Sequence, residues 1–307
     1  GRWAMRRYRQ FQPHVVVGFG GRLTIPALLL ASLRGIPTVI HEQNAVLGRA
    51  NRWLRRWVDC IAVSCASTQE QLGGWRSVVT GLPVRQGIGH IDRREAARQL
   101  GLDPELPTVL VLGGSQGAGA INRLLCELTQ RLLSIERERW QFLHLTGAAE
   151  KGLVRVSYTV AGMRHQLRSH LTEMAHAYAA ADVVIARAGA STLAELALCG
   201  LPALLIPYPY AAGHQRRNAE LVEQAGGGVL IDQDEALAKP DRVLDELRRL
   251  LSDEAQRRLM GQRMRTLAQP QATQQLVRLI LEAAHHGGRV VCAQEPSSVA
   301  PAAHHLG

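Results

Sequence analysis

Residues 181–231, ADVVIARAGASTLAELALCGLPALLIPYPYAAGHQRRNAELVEQAGGGVLI, read twice over as strand, small-residue turn and helix. The run 182–186 is apolar, β-branched and short, as a strand buried on both faces should be. Arg187-Ala188-Gly189-Ala190 then turns into a helix predicted over 191–199, which Gly200 and Pro202 end. A second buried strand, 203–207, leads through a turn into a helix carrying residues 218–225. Each such turn aims helix N–H groups and the positive end of a helix dipole at whatever lies above the strand ends, which suits phosphate. With Glu195 and Gln215 beside them, the two turns read as a site for a nucleotide that carries a sugar.

Outward from this block the same device recurs. A basic helix precedes a strand over 14–17, which runs into Gly18-Phe19-Gly20-Gly21 and a helix over 25–33. The strand 38–40 ends in His41-Glu42-Gln43-Asn44, and a further strand is predicted near 60–63. Downstream, a polar helix over 93–100 precedes a strand over 108–112, whose turn Gly113-Gly114-Ser115-Gln116-Gly117 opens a helix over 120–133. This alternation predicts an α/β fold with doubly wound parallel sheets. The Gly-Leu-Pro segment before Arg85 marks a boundary, giving an N-terminal domain over 1–85 and a C-terminal one over 86–268. A last helix follows over 269–286, and the Pro/Ser/Ala/His stretch 287–307 is expected to be disordered.

The chain of 307 residues is 46% hydrophobic and 20% charged, a soluble globular balance, and no apolar run approaches membrane-spanning length. Aromatics at 4% argue against base-stacking platforms, so no nucleic-acid partner is expected. The five cysteines form no CxxC pair and read as reduced thiols of a cytosolic protein. The net charge of +10 asks for a partner. Much of it sits in GRWAMRRYR at 1–9, in NRWLRRW at 51–57, and at Arg257, Arg258, Arg263 and Arg265. The first two interleave arginine with tryptophan, as interfacial helices on anionic lipid do; the alternative is a solvated face with tryptophans packed inward.

Several residues carry two readings on spacing alone. Ser115 either reaches a phosphate oxygen or caps its helix. Glu195 either accepts both ribose hydroxyls or completes a capping box with Thr192. His214, Gln215 and Asn218 either face sugar hydroxyls or cap a helix. Arg85 is a planar fork for a base or phosphate, or a surface ion pair. His41 and Glu42, at a strand end, are an acid–base pair or structural groups. Asp232-Gln233-Asp234 resembles a DxD metal motif without supporting ligands and reads as a loop. The chain has neither GxGxxG nor GxxxxGK[ST], which counts against an NAD(P)-binding oxidoreductase, the alternative from another enzyme class. A non-catalytic basic membrane-surface module is a third reading.

Taken in order, FGG at 19–21, HEQNAVLGRANRWL at 41–54, TGLPVR at 80–85, VLGGSQGAGAIN at 111–122, the block 181–205 and HQRRNA at 214–219 resemble the MurG family. These are UDP-N-acetylglucosamine transferases that add GlcNAc to undecaprenyl-diphosphate-MurNAc-pentapeptide, converting lipid I to lipid II in peptidoglycan synthesis. The resemblance implies a GT-B architecture, two Rossmann-like domains with the active cleft between them and a final helix returning to the first. It implies an inverting transfer without metal or other cofactor, by a protein peripheral to the inner face of the bacterial plasma membrane. Another GT-B transferase acting on a glycolipid is the alternative within the class.

Residue by residue, the resemblance implies donor binding by Asn44, Arg85 and Ser115, and a backbone contact to uracil at Leu171. It also implies phosphate and ribose binding by Ala190, Ser191, Thr192 and Glu195, and reading of the sugar hydroxyls by Gln215. The family's first glycine loop, GGTGGH, whose histidine is a candidate base, has no counterpart here. The N-terminal domain is therefore expected to be truncated, with His41 or Glu42 assisting and little turnover. Leu82 stands where the family usually has Asn, and Ala188 where it has Ser or Gly.

Overall fold

The computed structural model describes residues 2–113, 119–211 and 213–287. Ser115 with most of its glycine turn, and nearly all of the stretch expected to be disordered, lie outside the described residues.

The first half contains α1 (Arg2–Phe11), β1 (Val16–Gly18), α2 (Thr24–Leu33), β2 (Thr38–Glu42), α3 (Arg49–Leu54), β3 (Cys60–Val63), α4 (Ala66–Glu70) and β4 (Ser77–Val79). The second begins with α5 (Arg93–Leu100), β5 (Thr108–Leu112), α6 (Gly119–Arg131), α7 (Ser134–Arg139), β6 (Gln141–Leu145), α8 (Lys151–Val160) and β7 (Arg164–Arg168). It continues through α9 (Met174–Ala180), β8 (Val183–Ala186), α10 (Ala190–Cys199), β9 (Ala203–Leu205), α11 (His214–Gln224) and β10 (Gly228–Leu230). Helices α12 (Gln233–Ala238), α13 (Pro240–Ser252), α14 (Glu254–Arg265) and α15 (Ala272–His285) close the described chain.

Both sheets are wholly parallel: four strands in the order β1-β2-β3-β4, and six in the order β10-β9-β8-β5-β6-β7. Successive residues of β5 and β8 point to opposite apolar layers. Val109, Val111, Val183 and Ile185 join one cluster, and Leu110, Leu112, Val184 and Ala186 the other. That two-sided burial explains why these strands are continuous apolar runs rather than alternating ones. In the first sheet Ile40, Ile61 and Val63 face one layer, while Val39, Cys60 and Ala62 face Leu276, Leu279 and Ala283 of α15. The last described helix thus covers one face of the first sheet.

The chain crosses between the sheets at Gly81, whose φ of +75° favours glycine. A Cβ there would lie 2.5 Å from the Gln269 side chain, so the outgoing and returning segments touch at this point. Helix α10 ends as the sequence implies, at Gly200 with φ +66°. Helix α4, strand β4 and helix α7 are among the elements that escaped the sequence reading. Strand β4 has three residues set among polar neighbours, too few to show a period. The strand read over 14–17 is shifted to Val16–Gly18, and that over 203–207 stops at Leu205.

Candidate active site

The strand order of the second sheet reverses between β5 and β8. Chains leaving those two strands at their carboxyl ends diverge to opposite faces and leave a crevice. A cavity of about 960 Å³ occupies it, with walls from both halves of the chain. Asn44, Arg85, Leu171, Ala190, Ser191, Thr192, Glu195 and Gln215 all line it. Gly113 and Gly119, on either side of the undescribed glycine-turn residues, line it too.

Helix α10 presents an open amino end to this cavity. Its N-cap is Gly189, with no side-chain cap, and the first helical bond runs from Leu193 N–H to the Gly189 carbonyl. The N–H groups of Ala190, Ser191 and Thr192 therefore have no partner within the helix and face the space where an anion would sit. Because Gly189 is the cap, Thr192 lies inside the first turn, and the capping-box reading of Thr192 with Glu195 falls away.

Glu195 accepts a 2.7 Å hydrogen bond from the Tyr178 hydroxyl at Oε2. Its Oε1 has no partner among the described residues and remains for hydroxyl donors. Burial raises the Glu195 pKa, opposed by the Tyr178 bond and by the charge of Arg85. Gln215 is oriented by its backbone neighbour: Tyr208 N–H donates to Oε1 at 2.8 Å. Its amide NH₂ is consequently the end available to a sugar hydroxyl. Leu171 follows β7 and stands with Leu112, Leu145 and Met174 on an apolar stretch of wall, which suits the flat face of a base.

Arg187 was read in the sequence only as part of a turn, yet it is the most constrained charge in the cavity. The side chain is buried, donating to the carbonyls of Ile206 and Pro207 and to Gln233 Oε1, with its guanidinium 5.5 Å from the Tyr208 ring. Burial lowers its pKa from the usual arginine value. Its described side-chain acceptors are all neutral, so its charge is left for a ligand. An arginine closing an otherwise apolar strand, directly before a phosphate-type turn, is the signal that could have found it. Arg123 joins it on the wall, so three arginines face one glutamate.

His41 and Glu42 are not in this cavity. They adjoin a separate hollow of about 260 Å³ beside Phe19, Gly20 and Gly21, and both side chains are almost fully buried. His41 Nε2 donates to the Gly81 carbonyl at 2.9 Å, and desolvation lowers its pKa. Glu42 accepts from Asn44 N–H, Asn44 Nδ2, Gly48 N–H and Asn51 Nδ2, at 2.8–3.1 Å. That is a full set of donors for a carboxylate. Nε2 of His41 and both oxygens of Glu42 are thus engaged within the first half, while His41 Nδ1 is buried without a hydrogen-bond partner among the described residues.

Other motifs settle as structure. Asp232 pairs with Arg216, and among the described residues no group of three or more His, Cys, Asp or Glu side chains is placed to hold a metal. Arg257 and Arg265 donate to carbonyls of neighbouring helices, and Arg258 pairs with Glu254. The basic aromatic segments differ: Trp3 is 70% exposed and Trp53 51%, so these tryptophans are not packed inward. Among the described residues no helix is long and apolar enough to cross a membrane.

Comparison with known proteins accords with this geometry. Residues 2–63 match the glycosyltransferase family 28 N-terminal domain, and residues 108–276 the family 28 C-terminal domain. A UDP-N-acetylglucosamine--N-acetylmuramyl-(pentapeptide) pyrophosphoryl-undecaprenol N-acetylglucosamine transferase from Halothermothrix orenii is 37% identical, covering 92% of this chain and 77% of its own length. A protein of the same description from Syntrophotalea carbinolica is 41% identical over 73% of this chain and 61% of its own. The crystal structure of Acinetobacter baumannii MurG superimposes with a TM-score of 0.72 at 31% identity, over 91% of this chain and 76% of that one.

Proposed function

The chain belongs to glycosyltransferase family 28, and on that premise we propose that its cavity binds UDP-GlcNAc and delivers GlcNAc to undecaprenyl-diphosphate-MurNAc-pentapeptide, the lipid I to lipid II step of peptidoglycan synthesis. The observation that carries the reading is the convergence of eight expected donor-site residues on one cavity at the reversal point of the second sheet.

In this reading uracil lies against the apolar wall at Leu171, and Oε1 of Glu195 accepts from the ribose. The diphosphate meets the open first turn of α10 with Arg85, Arg123 and Arg187 around it. The acceptor hydroxyl attacks the anomeric carbon from the face opposite UDP, and the bond to the β-phosphate oxygen breaks with its electron pair going to UDP. Charge grows on that oxygen, where fixed cations and helix N–H groups stabilise it without reorganising. The Gln215 NH₂ holds a sugar hydroxyl and so the angle of attack. The proton of the acceptor hydroxyl passes to solvent as the new glycosidic bond forms, since His41 and Glu42 line a separate hollow and not this cavity.

The acceptor is lipid-linked, so the protein works at a membrane surface. Exposed Trp3 and Phe11 among the arginines of α1, and Trp53 and Trp57 among those of α3 and the turn after it, support peripheral docking on anionic lipid at the cytoplasmic face. The deciding experiment is calorimetric titration with UDP-GlcNAc, wild type against Glu195→Ala. Binding that the substitution removes supports the reading. A folded chain that binds NADPH and not UDP-GlcNAc would reverse it.

A further inference from the structure

Asn218 sits one turn beyond Gln215 on α11, and its side chain does not line the donor cavity. It is 4% exposed, and all of its hydrogen-bonding ends are engaged. Oδ1 accepts from Ala45 N–H at 2.8 Å. Nδ2 donates to Asn44 Oδ1 and to the Ala188 carbonyl, each at 3.1 Å. Asn44 and Ala45 belong to the loop after β2 in the first half, while Ala188 belongs to the phosphate-type turn of the second. One amide therefore ties the two halves together beside the cavity.

The tie continues into each half. Asn44 Nδ2 donates to Glu42, which also gathers Gly48 N–H and Asn51. The Asn44 and Ala45 carbonyls accept from Thr68 and Gln71. The loop is therefore a preformed unit, and Asn218 is the point at which the second half grips it. Around that point the halves are not closely packed. An apolar crevice of about 110 Å³, lined by Ala45, Leu82, Val84, Leu193 and Leu221, lies alongside Asn218. With apolar contact incomplete there, the buried polar bonds carry the alignment.

We propose that Asn218 is a positioning residue: it pins the loop after β2 to the Ala188 turn and thereby holds Asn44 at the donor cavity. Only an amide can do this, since one acceptor and two donors are needed from a single side chain. Because Asn218 shares a helix with Gln215, the placement of the sugar-reading amide and the alignment of the halves are set by one rigid element. The proposal rests on the donor-site reading for its effect on binding, but not for the tie itself.

The test uses Asn218→Asp, Asn218→Ala, Asn44→Ala and the double variant Asn44→Ala/Asn218→Ala. Asn218→Asp keeps the acceptor for Ala45 N–H and turns a carboxylate oxygen towards two other oxygens. Its expected result is a loss of UDP-GlcNAc affinity of about 10- to 100-fold with UMP affinity unchanged. In the double variant the two Ala substitutions are non-additive, because each removes the same bond. Equal loss of UMP and UDP-GlcNAc affinity, additive effects, or no loss in a folded variant each overturn the proposal. Hydrogen exchange decides the tie without any nucleotide. Asn218→Ala should speed exchange of the Ala45 amide about tenfold or more while β5 stays protected. An Ala45 amide that exchanges at the wild-type rate overturns the proposal even if the donor-site reading has already failed.

Discussion

Glu42, buried at the end of β2, and Glu195, half-buried in the helix after β8, are glutamates of one parallel α/β fold that the chain uses in opposite ways. Four N–H donors converge on Glu42, and a carboxylate offers only about four acceptor positions. Among the described residues Glu195 has one donor, the Tyr178 hydroxyl, and an open oxygen at the wall of a large cavity. Residue type and strand-end position do not separate a ligand from a structural group. The count of engaged lone pairs does, and it divides the molecule into a closed polar region at the carboxyl end of β2 and an open one at the carboxyl ends of β5 and β8.

The largest effect that would break this contrast is on stability. Glu42→Ala strands several buried N–H groups and should lower the unfolding free energy by about 3–4 kcal/mol, read from urea denaturation. If Glu42→Ala instead left stability intact and abolished glycosyl transfer, the closed region would be catalytic and the contrast would be reversed. Next comes Glu195→Ala, expected to weaken UDP-GlcNAc binding by about 2 kcal/mol, roughly 30-fold, with a smaller change in stability. Glu195→Gln sharpens the point through pH. The Glu195 pKa is raised, so wild-type affinity should fall with acidification earlier than for an unperturbed glutamate, and the amide variant should lack that fall. A wild-type curve flat through the carboxylate range would mean that ligand does not need the ionised group.

The open region was the more legible of the two, for a physical reason. Its strands are buried on both faces and its turns are glycine-rich, so Thr108–Leu112 and, to within a residue, Val183–Ala186 could be bounded from composition alone. Its ligand-facing residues follow those turns at short spacing. What could not be read was long-range satisfaction. That Gly81 occupies Nε2 of His41, 40 positions away, or that Asn218 bonds Asn44, 174 positions away, leaves no trace in local pattern. Arg187 did leave a local signal, a charge closing an apolar strand, but the neutral acceptors that hold it, at Ile206, Pro207 and Gln233, come from the segment after β9 and the start of α12. Residues facing a ligand are announced by the turn that carries them, whereas residues facing other residues are announced only by the fold.

A smaller effect tests whether Arg187 belongs to the open side. Arg187→Lys keeps a charge but loses the planar fork, so UDP affinity should drop about tenfold while uridine affinity holds. If uridine and UDP weaken equally, Arg187 is a structural cation and the open region is narrower than drawn.

The smallest expected effect asks whether closed polar groups are confined to the first half. In the second half His144 is fully buried, with Nε2 donating to Asn122 Oδ1 at 2.9 Å and Nδ1 accepting from the Tyr158 hydroxyl at 3.0 Å. Asn122 passes the network on to Glu150 and the Thr146 carbonyl. Burial pulls the His144 pKa down to about 3, because a second proton would place a charge in the core. The folded pKa is depressed, so the unfolded chain takes up a proton that the native one refuses. Stability attributable to His144 is therefore complete above the ordinary histidine range and is lost as pH falls towards 3. Between about pH 7.5 and about pH 6 the loss should be about 1 kcal/mol, less than any substitution above. Measured as the difference in stability slope between wild type and His144→Gln, it is independent of the packing cost of the substitution itself. A matching slope in the two proteins would show that His144 takes up its proton while folded, and the second half would then hold no closed region of its own at this network.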